Sequence, residues 1–313
     1  MKLKGAKYKV AATGTLLLNS PLDCYVPLKW IGETNSNLSN FKSYYCRYGG
    51  LFGHDIVGYK NMTNLKEHIE SCSLRRTKDI LGLPPKTVIE EYLDMDKAQE
   101  DFYENIKEGI IDQVDKVHIS TANLLAIVTR LRQATALPSI LTTENIPSAK
   151  LDRAEDLARQ LIGNGEKVVI FSTFKESVYE LQKRLRDFNV LIGTGDLKDE
   201  EVAENKDRFQ ADPSINAFIG TWSKAGTGIT LNKASYMIFI DHPWTGGGCE
   251  QCEDRIHRIG SKHPVFIYYL ITKNTIDEHV REIANDKSLI SNYILDDEIP
   301  TGFVDRLRSL ILE

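Results

Sequence analysis

Nowhere in these 313 residues does an apolar run approach the ~20 that a helix needs to cross a bilayer. The amino terminus holds no secretory stretch, because Lys7 and Lys9 interrupt it at once. Cysteine is scarce: the five, at 24, 46, 72, 249 and 252, are odd in number and scattered. That argues against a disulfide framework and suits a reducing compartment. There is no phosphate loop of the form G-x-x-x-x-G-K-[ST] and no G-x-G-x-x-G turn. Internal repeats and low-complexity tracts are also absent. Cys249-x-x-Cys252 with His257 and His263 offers zinc-type ligands, but only four residues separate Cys252 from His257 and no second cysteine pair exists. No metal site is expected on that spacing.

What remains is an ordinary globular composition, 42% hydrophobic and 27% charged, enough for a packed core in one to three domains. The net charge of −5 is unevenly spread. Residues 1–89 hold 13 Lys and Arg against 6 Asp and Glu, and the rest hold 26 against 38. A basic first third can face phosphate, or it can be a plain solvated face; charge alone does not choose.

Periodicity divides the chain. Residues 7–12 read as a strand, 22–31 and 64–76 as helices, and 35–43 and 48–58 as Asn/Ser-rich and Gly-rich loops. Pro84-Pro85 is a strong stop. An extended run over 86–95 precedes helices near 96–111, 120–134 and 148–162, the last closed by Gly163-Asn164-Gly165. From 166 onward, short apolar runs at 168–171, 190–192, 215–219, 236–240 and 266–271 alternate with helical patterns, among them one through 188 and one over 199–210. Strands without polar alternation, separated by helices, predict a five-stranded parallel sheet covered on both faces. The expected division is 1–84, 85–165, 166–290 and a 291–313 extension.

In an open parallel sheet, ligands bind beyond the carboxyl ends of strands. The loop after Phe218-Ile219 carries Lys224, Gly226 and Gly228, and such glycines let backbone approach a phosphate closely. A simple glycine turn is the plainer reading of those residues alone. After Asp241 come His242-Pro243-Trp244, three glycines, and a helix expected to carry Gln251, Arg255 and Arg258 at i, i+4 and i+7 on one face. Two guanidiniums there suit phosphate oxygens. Intrahelical pairing of Asp254 with Arg258 and Gln251 with Arg255 explains them equally simply. Thr13-Gly14-Thr15, with Asn19, follows the first candidate strand and fits a catalytic loop or an ordinary turn. Asp277-Glu278-His279 follows Thr275 and is expected at a helix start, where acidic residues favour the dipole.

Taken in order, these pieces resemble the Swi/Snf-type branch of superfamily-two helicase-like ATPases. Ala12-Thr13-Gly14-Thr15 through Asp23 is similar to motif III, with Leu16 in place of the usual proline. Leu74-Arg75-Arg76-Thr77-Lys78, with Leu83-Pro84-Pro85-Lys86, resembles the "LRRTK…LPPK" inter-lobe segment. Residues 168–174 resemble motif IV and 224–231 motif V, with Thr230 where asparagine is common. Gln251-Cys252-Glu253-Asp254-Arg255-Ile256-His257-Arg258-Ile259-Gly260 resembles motif VI, although Thr245-Gly246 replaces the usual Asn-Pro after Trp244. Residues 268–278 resemble the last strand and helix of that lobe.

The resemblance implies a RecA-like parallel sheet with helices on both faces, preceded by a partial first lobe and a helical insertion. It implies an ATP- and Mg²⁺-using, duplex-DNA-dependent translocase inside the cell, in the cytoplasm or nucleoid of a bacterium or phage or the nucleus of a eukaryote. Arg255 and Arg258 would be arginine fingers, and Gln251 would fix the nucleotide or attacking water. Gly226, Gly228, Thr13, Gly14 and Thr15 would line or relay the nucleotide cleft. Thr173, Lys175, Thr194 and Lys224 would contact the DNA backbone. Motif III normally follows a phosphate loop and an acidic box, yet only 11 residues precede Ala12. The expectation is therefore a fragment: the end of lobe one, the linker and all of lobe two, partnered by a separate ATPase lobe, double-stranded DNA and DNA-bound proteins, with no membrane. Alone it should bind neither cofactor and hydrolyse no ATP. The competing readings are a stand-alone RecA-like binding module and an RNA helicase lobe.

Overall fold

A computed structural model describes residues 6–13, 16, 21–49, 55–74, 76, 78–114, 121–225 and 230–285. These fall into two compact units that divide at Lys78.

The first unit holds helices α1 (Tyr25–Ile31) and α2 (Leu38–Tyr45), an antiparallel pair β1 (Cys46–Gly49) and β2 (Asp55–Tyr59), and helix α3 (Met62–Cys72). Residues 38–43, 48–49 and 55–58, expected in loops, thus belong to helices and strands. Asn37 explains α2: its side chain accepts the Asn40 amide at 2.8 Å, capping a helix that buries Phe41 and Tyr45 on one stripe. They pack with Cys24, Leu28 and Leu65. Conversely, residues 7–12 are no strand; Tyr8 and Val10 are 81% and 83% exposed.

The second unit is built on six strands: β3 (Lys86–Leu93), β4 (Val168–Ser172), β5 (Val190–Gly193), β6 (Ala217–Thr221), β7 (Tyr236–Phe239) and β8 (Val265–Thr272). Their order is β3-β8-β7-β4-β6-β5, and every pairing is parallel. Five were expected; the sixth is the extended run after Pro85, which pairs with β8 along its whole length. The helices are α4 (Lys97–Val114), α5 (Thr121–Ala136), α6 (Ala149–Gly163), α7 (Lys175–Arg184), α8 (Asp199–Ala211), α9 (Trp222–Ala225), α10 (Gly246–Glu253) and α11 (Ile276–Asn285).

The central strands are dry on both sides because their side chains alternate between two cores. Val168, Ile170, Ile219 and Ile238 pack with α6 and α7. Val169, Phe171, Phe218, Met237 and Phe239 pack with Phe209 of α8, Cys249 and Cys252 of α10 and Ala284 of α11. Helices therefore cover both faces of a RecA-like sheet. Gly220 matters here: a Cβ would lie 2.8 Å from the Gly193 carbonyl and 2.9 Å from Ala225 Cβ, so only glycine lets α9 press this closely on the sheet. A buried ion pair fastens α11. Lys150 of α6 meets Asp277, whose carboxylate also accepts the Thr135 hydroxyl at 3.1 Å and the Thr272 amide at 3.2 Å. Burial alone would raise the Asp277 carboxyl, but Lys150 outweighs it and holds it below the usual range. Asp277 is thus an internal anchor as well as a first-turn acid.

Candidate functional site

Helix α10 starts beside Trp244 at the carboxyl edge of the sheet and ends at Glu253, so Arg255 and Arg258 do not share a helical face with Gln251 as the spacing predicts. The helix stops because its next backbone groups are used elsewhere. Arg255 and Ile256 amides turn back tightly to Cys252 and Glu253, and the Arg255 carbonyl accepts the Leu231 amide at 2.8 Å. Both arginines lie in the following turns, at the edge where β7 and β8 begin. Arg255 Nε donates to the Gln251 carbonyl at 2.8 Å, and Arg258 Nη1 donates to Thr230 Oγ1 at 2.8 Å. Thr230, which departs from the common asparagine, is therefore the hydroxyl that aims Arg258. Arg255 is half-buried; burial and then the neighbouring Arg258 charge pull its guanidinium below its ordinary range. The two cations thus share one electrostatic site. Gly260 closes the turn at φ 98°, where a Cβ would strike Asn232.

The segment leading into β3 braces this turn. Lys78 pairs with Asp254 and lies 3.4 Å from Glu250. Lys86 Nζ reaches Glu253 Oε2 at 2.5 Å, and the Tyr269 hydroxyl donates to Glu253 Oε1 at 2.7 Å. The Pro84 carbonyl meets His257 Nε2 at 2.8 Å, and the Pro85 carbonyl accepts the Val265 amide at 2.8 Å. Of the alternative intrahelical pairs, Asp254–Arg258 does not form, because Lys78 takes Asp254, whereas Arg255 does bond Gln251, through its carbonyl. Neither Lys78 nor Lys86 is legible as a site residue from pattern, since their acid partners are about 170 positions away.

The carboxyl edge is organised by a buried ion pair. Arg132 of α5 and Asp241, after β7, are 3% and 2% exposed. Arg132 Nη2 lies 3.4 Å from Asp241 Oδ1, donates to the His242 carbonyl at 2.7 Å and to Thr173 Oγ1 at 3.2 Å, and its guanidinium stacks 4.7 Å from the Trp244 ring. Asp241 also accepts the Ser172 hydroxyl at 2.6 Å and the Thr173 amide at 2.7 Å. The Trp222 indole donates to Thr173 Oγ1 at 3.1 Å. Asp241 could have been suspected as an acid ending an apolar strand; Arg132, two residues after Arg130 in the same helix, gave no signal.

Of the residues expected on nucleic acid, Thr173, Lys175 and Lys224 line this edge. Thr173 is engaged as above, Lys175 Nζ lies 3.1 Å from Asp196, and Lys224 pairs with Asp199. Thr194 is a correction: it is 0% exposed, its hydroxyl hydrogen-bonded to Tyr179 at 3.0 Å, so its side chain presents no surface to a strand. Gly226, Gly228, Gly14 and Thr15 lie outside the described residues; Thr13 is exposed in the first unit. Beside Asp241, the buried His242 ring is held neutral, pushed down to about 3 by burial and then by Arg132. Burial pushes the Cys249 thiol up to about 12 and Cys252 higher still. Among the described residues no three or more His, Cys, Asp or Glu converge as metal ligands, and no helix is long and apolar enough to cross a membrane.

Comparison with known proteins finds two family matches. The SNF2-related domain matches residues 2–140, and the helicase conserved C-terminal domain matches residues 149–260. The chain is 30% identical over 161 residues to Helicase SWR1 of Yarrowia lipolytica, covering 50% of this chain and 9% of that protein. It is 25% identical over 304 residues to an uncharacterized ATP-dependent helicase of Mycoplasma pneumoniae, covering 95% of this chain and 28% of that one. Among solved structures, the Sulfolobus solfataricus SWI2/SNF2 ATPase core in complex with dsDNA superposes with a TM-score of 0.58 at 25% identity, over 82% of this chain and 56% of that one. The chain thus spans under a third of the length of these two curated relatives.

Proposed function

The chain belongs to the Swi/Snf-type branch of the superfamily-two helicases, as its C-terminal region, and from that premise we propose that it completes the ATP site of a duplex-DNA translocase. The observation that carries this reading is the pair Arg255 and Arg258, near enough in the turns after α10 for one charge to act on the other, each bonded to a neutral oxygen, of Gln251 and of Thr230. Transfer of the γ-phosphoryl group builds charge on its equatorial oxygens, and guanidiniums supplied across an interface stabilise that charge. Lys78 and Lys86 occupy Glu250, Glu253 and Asp254, so these acids are engaged by lysines.

The phosphate loop and the Mg²⁺-binding acids would come from a first ATPase lobe, because the 313 residues contain no such loop. No residue of this chain is assigned to Mg²⁺. At the opposite edge, Thr173, Lys175 and Lys224 would meet the phosphate backbone, contacts that carry affinity but no sequence information. The DNA-bound relative from Sulfolobus supports duplex DNA as the track.

The test is Arg258→Ala in the complete protein, with the first lobe present. DNA-stimulated ATP hydrolysis should fall by roughly 10³-fold or more, with little change in DNA affinity. Residues 1–313 alone should show no DNA-stimulated hydrolysis. A variant that hydrolyses ATP like the parent would rule out the arginine role.

A further inference from the structure

The loop after β5 has no part in that reading, yet it holds both lysines assigned to the DNA backbone. It runs from Thr194 into α8 and carries Asp196 and, as the first residue of α8, Asp199. Asp196 Oδ1 takes Lys175 Nζ, from the first turn of α7, at 3.1 Å, while its other oxygen takes the Tyr179 hydroxyl at 3.1 Å. Asp199 takes Lys224 of α9. The loop is rooted by the buried Thr194, bonded to the same Tyr179 hydroxyl. Both carboxyls lie below the usual range, first because of the lysine hydrogen bond, so both are ionised at neutral pH. One short loop therefore places a carboxylate on each of two lysines that come from two different neighbouring elements.

We propose that Asp196 and Asp199 are built-in phosphate mimics, which occupy Lys175 and Lys224 in the free chain and must be displaced by a nucleic-acid backbone. The proposal rests on the reading that these two lysines touch duplex DNA. A carboxylate and a phosphate ask the same thing of an ammonium group: a negative oxygen at hydrogen-bond distance. Exposed ion pairs are weak, so a polyanion wins the exchange. The displaced acids stay nearby and repel the incoming phosphates, so each contact is discounted. Asp199 is suited to yield, with its side chain 87% exposed while Lys224 is 27% exposed. A lowered grip suits a protein that must release its track every cycle.

The experiment titrates labelled duplex DNA with the 313-residue chain by fluorescence anisotropy, at about 50 mM and about 200 mM salt. Four forms are compared: the parent, Asp196→Asn/Asp199→Asn, Lys175→Ala/Lys224→Ala, and Asp101→Asn. The last removes one negative charge from α4, where Asp101 pairs with Lys97. The double amide variant should bind roughly 5–20-fold tighter at the lower salt, with the gain shrinking at the higher salt as screening grows. The double alanine variant should bind about tenfold more weakly. If the alanines weaken binding but the amides leave it unchanged or weaker, the mimic proposal fails while the DNA reading stands. If the alanines change nothing, or no form binds, both fail. A gain from Asp101→Asn as large as that of the double amide variant would reduce the effect to net charge and also overturn the proposal. Of the five substituted positions, Asp101, Lys175, Asp196 and Asp199 are exposed and Lys224 is half-buried, and thermal melts matching the parent confirm folding.

Discussion

At the edge where β7 and β8 begin, lysines absorb carboxylates: Lys78 takes Asp254 and Glu250, and Lys86 takes Glu253, beside Arg255 and Arg258. At the opposite edge, carboxylates absorb lysines: Asp196 takes Lys175 and Asp199 takes Lys224. The same ion-pair chemistry has opposite consequences. Where the chain is proposed to stabilise a transition state, neighbouring acids are engaged by other cations and Arg258 leans on a hydroxyl. Where it is proposed to hold and release a polymer, the cations are covered by weak, exchangeable pairs. Beneath that second edge lies a dry pair, Arg132 with Asp241, which is a matter of folding rather than of binding.

That comparison can be broken in order of expected effect. Arg132→Ala leaves Asp241 as a buried carboxylate without its cation and should cost about 3–5 kcal/mol in urea unfolding, whereas Arg132→Met/Asp241→Asn should recover much of that loss. An equal loss in both variants would show that Arg132 acts by packing rather than by charge. Next is pH. The fold keeps His242 neutral down to about 3, whereas the unfolded chain takes up that proton near its ordinary 6.5. Stability is therefore full above about 6.5 and falls as pH drops toward 3, by up to about 1.4 kcal/mol per pH unit. Asp277, whose carboxyl is depressed, adds its own loss below about 4. His242→Phe should flatten the urea midpoint between pH 6.5 and 4; an unchanged slope would remove His242 from the account. Lys86→Ala deprives the nearly buried Glu253 of its cation and should cost about 1–3 kcal/mol. In the complete protein it should also slow ATP hydrolysis by loosening the turn that carries the arginines. Smallest is Lys78→Ala, an exposed pair worth at most about 1 kcal/mol by the same unfolding measurement. A larger loss there would mean that the brace is one cooperative unit.

Sequence pattern located the central strands of the second unit, because strands buried on both faces write themselves as short apolar runs. Edge strand β3 was recognisable as extended but not as part of the sheet: Val88 and Tyr92 stay exposed on its outer side, so it lacks that signature. Helix α2 hid in an Asn/Ser-rich stretch whose second asparagine, Asn37, is its cap. Motif spacing singled out Gln251, Arg255 and Arg258, and helical periodicity put them on one face, which the structure does not. Tertiary hydrogen bonds, from the Leu231 amide to the Arg255 carbonyl and from the His257 ring to the Pro84 carbonyl, override that periodicity. Thr194 looked like a polar loop residue and is buried, since nothing local announces that Tyr179 will cover it.

The pairing of β3 with β8 runs in step from Lys86 opposite Val265 to Leu93 opposite Thr272. A pull arriving through Pro84 and Pro85 would enter along the strand axis and load the whole ladder in shear, rather than peeling one bond at a time. The braced turn is fastened to the same stretch of backbone by Lys86 and by the Pro84 carbonyl. The same few residues thus anchor both the edge ladder and, through Glu253 and His257, the turn that carries the arginines.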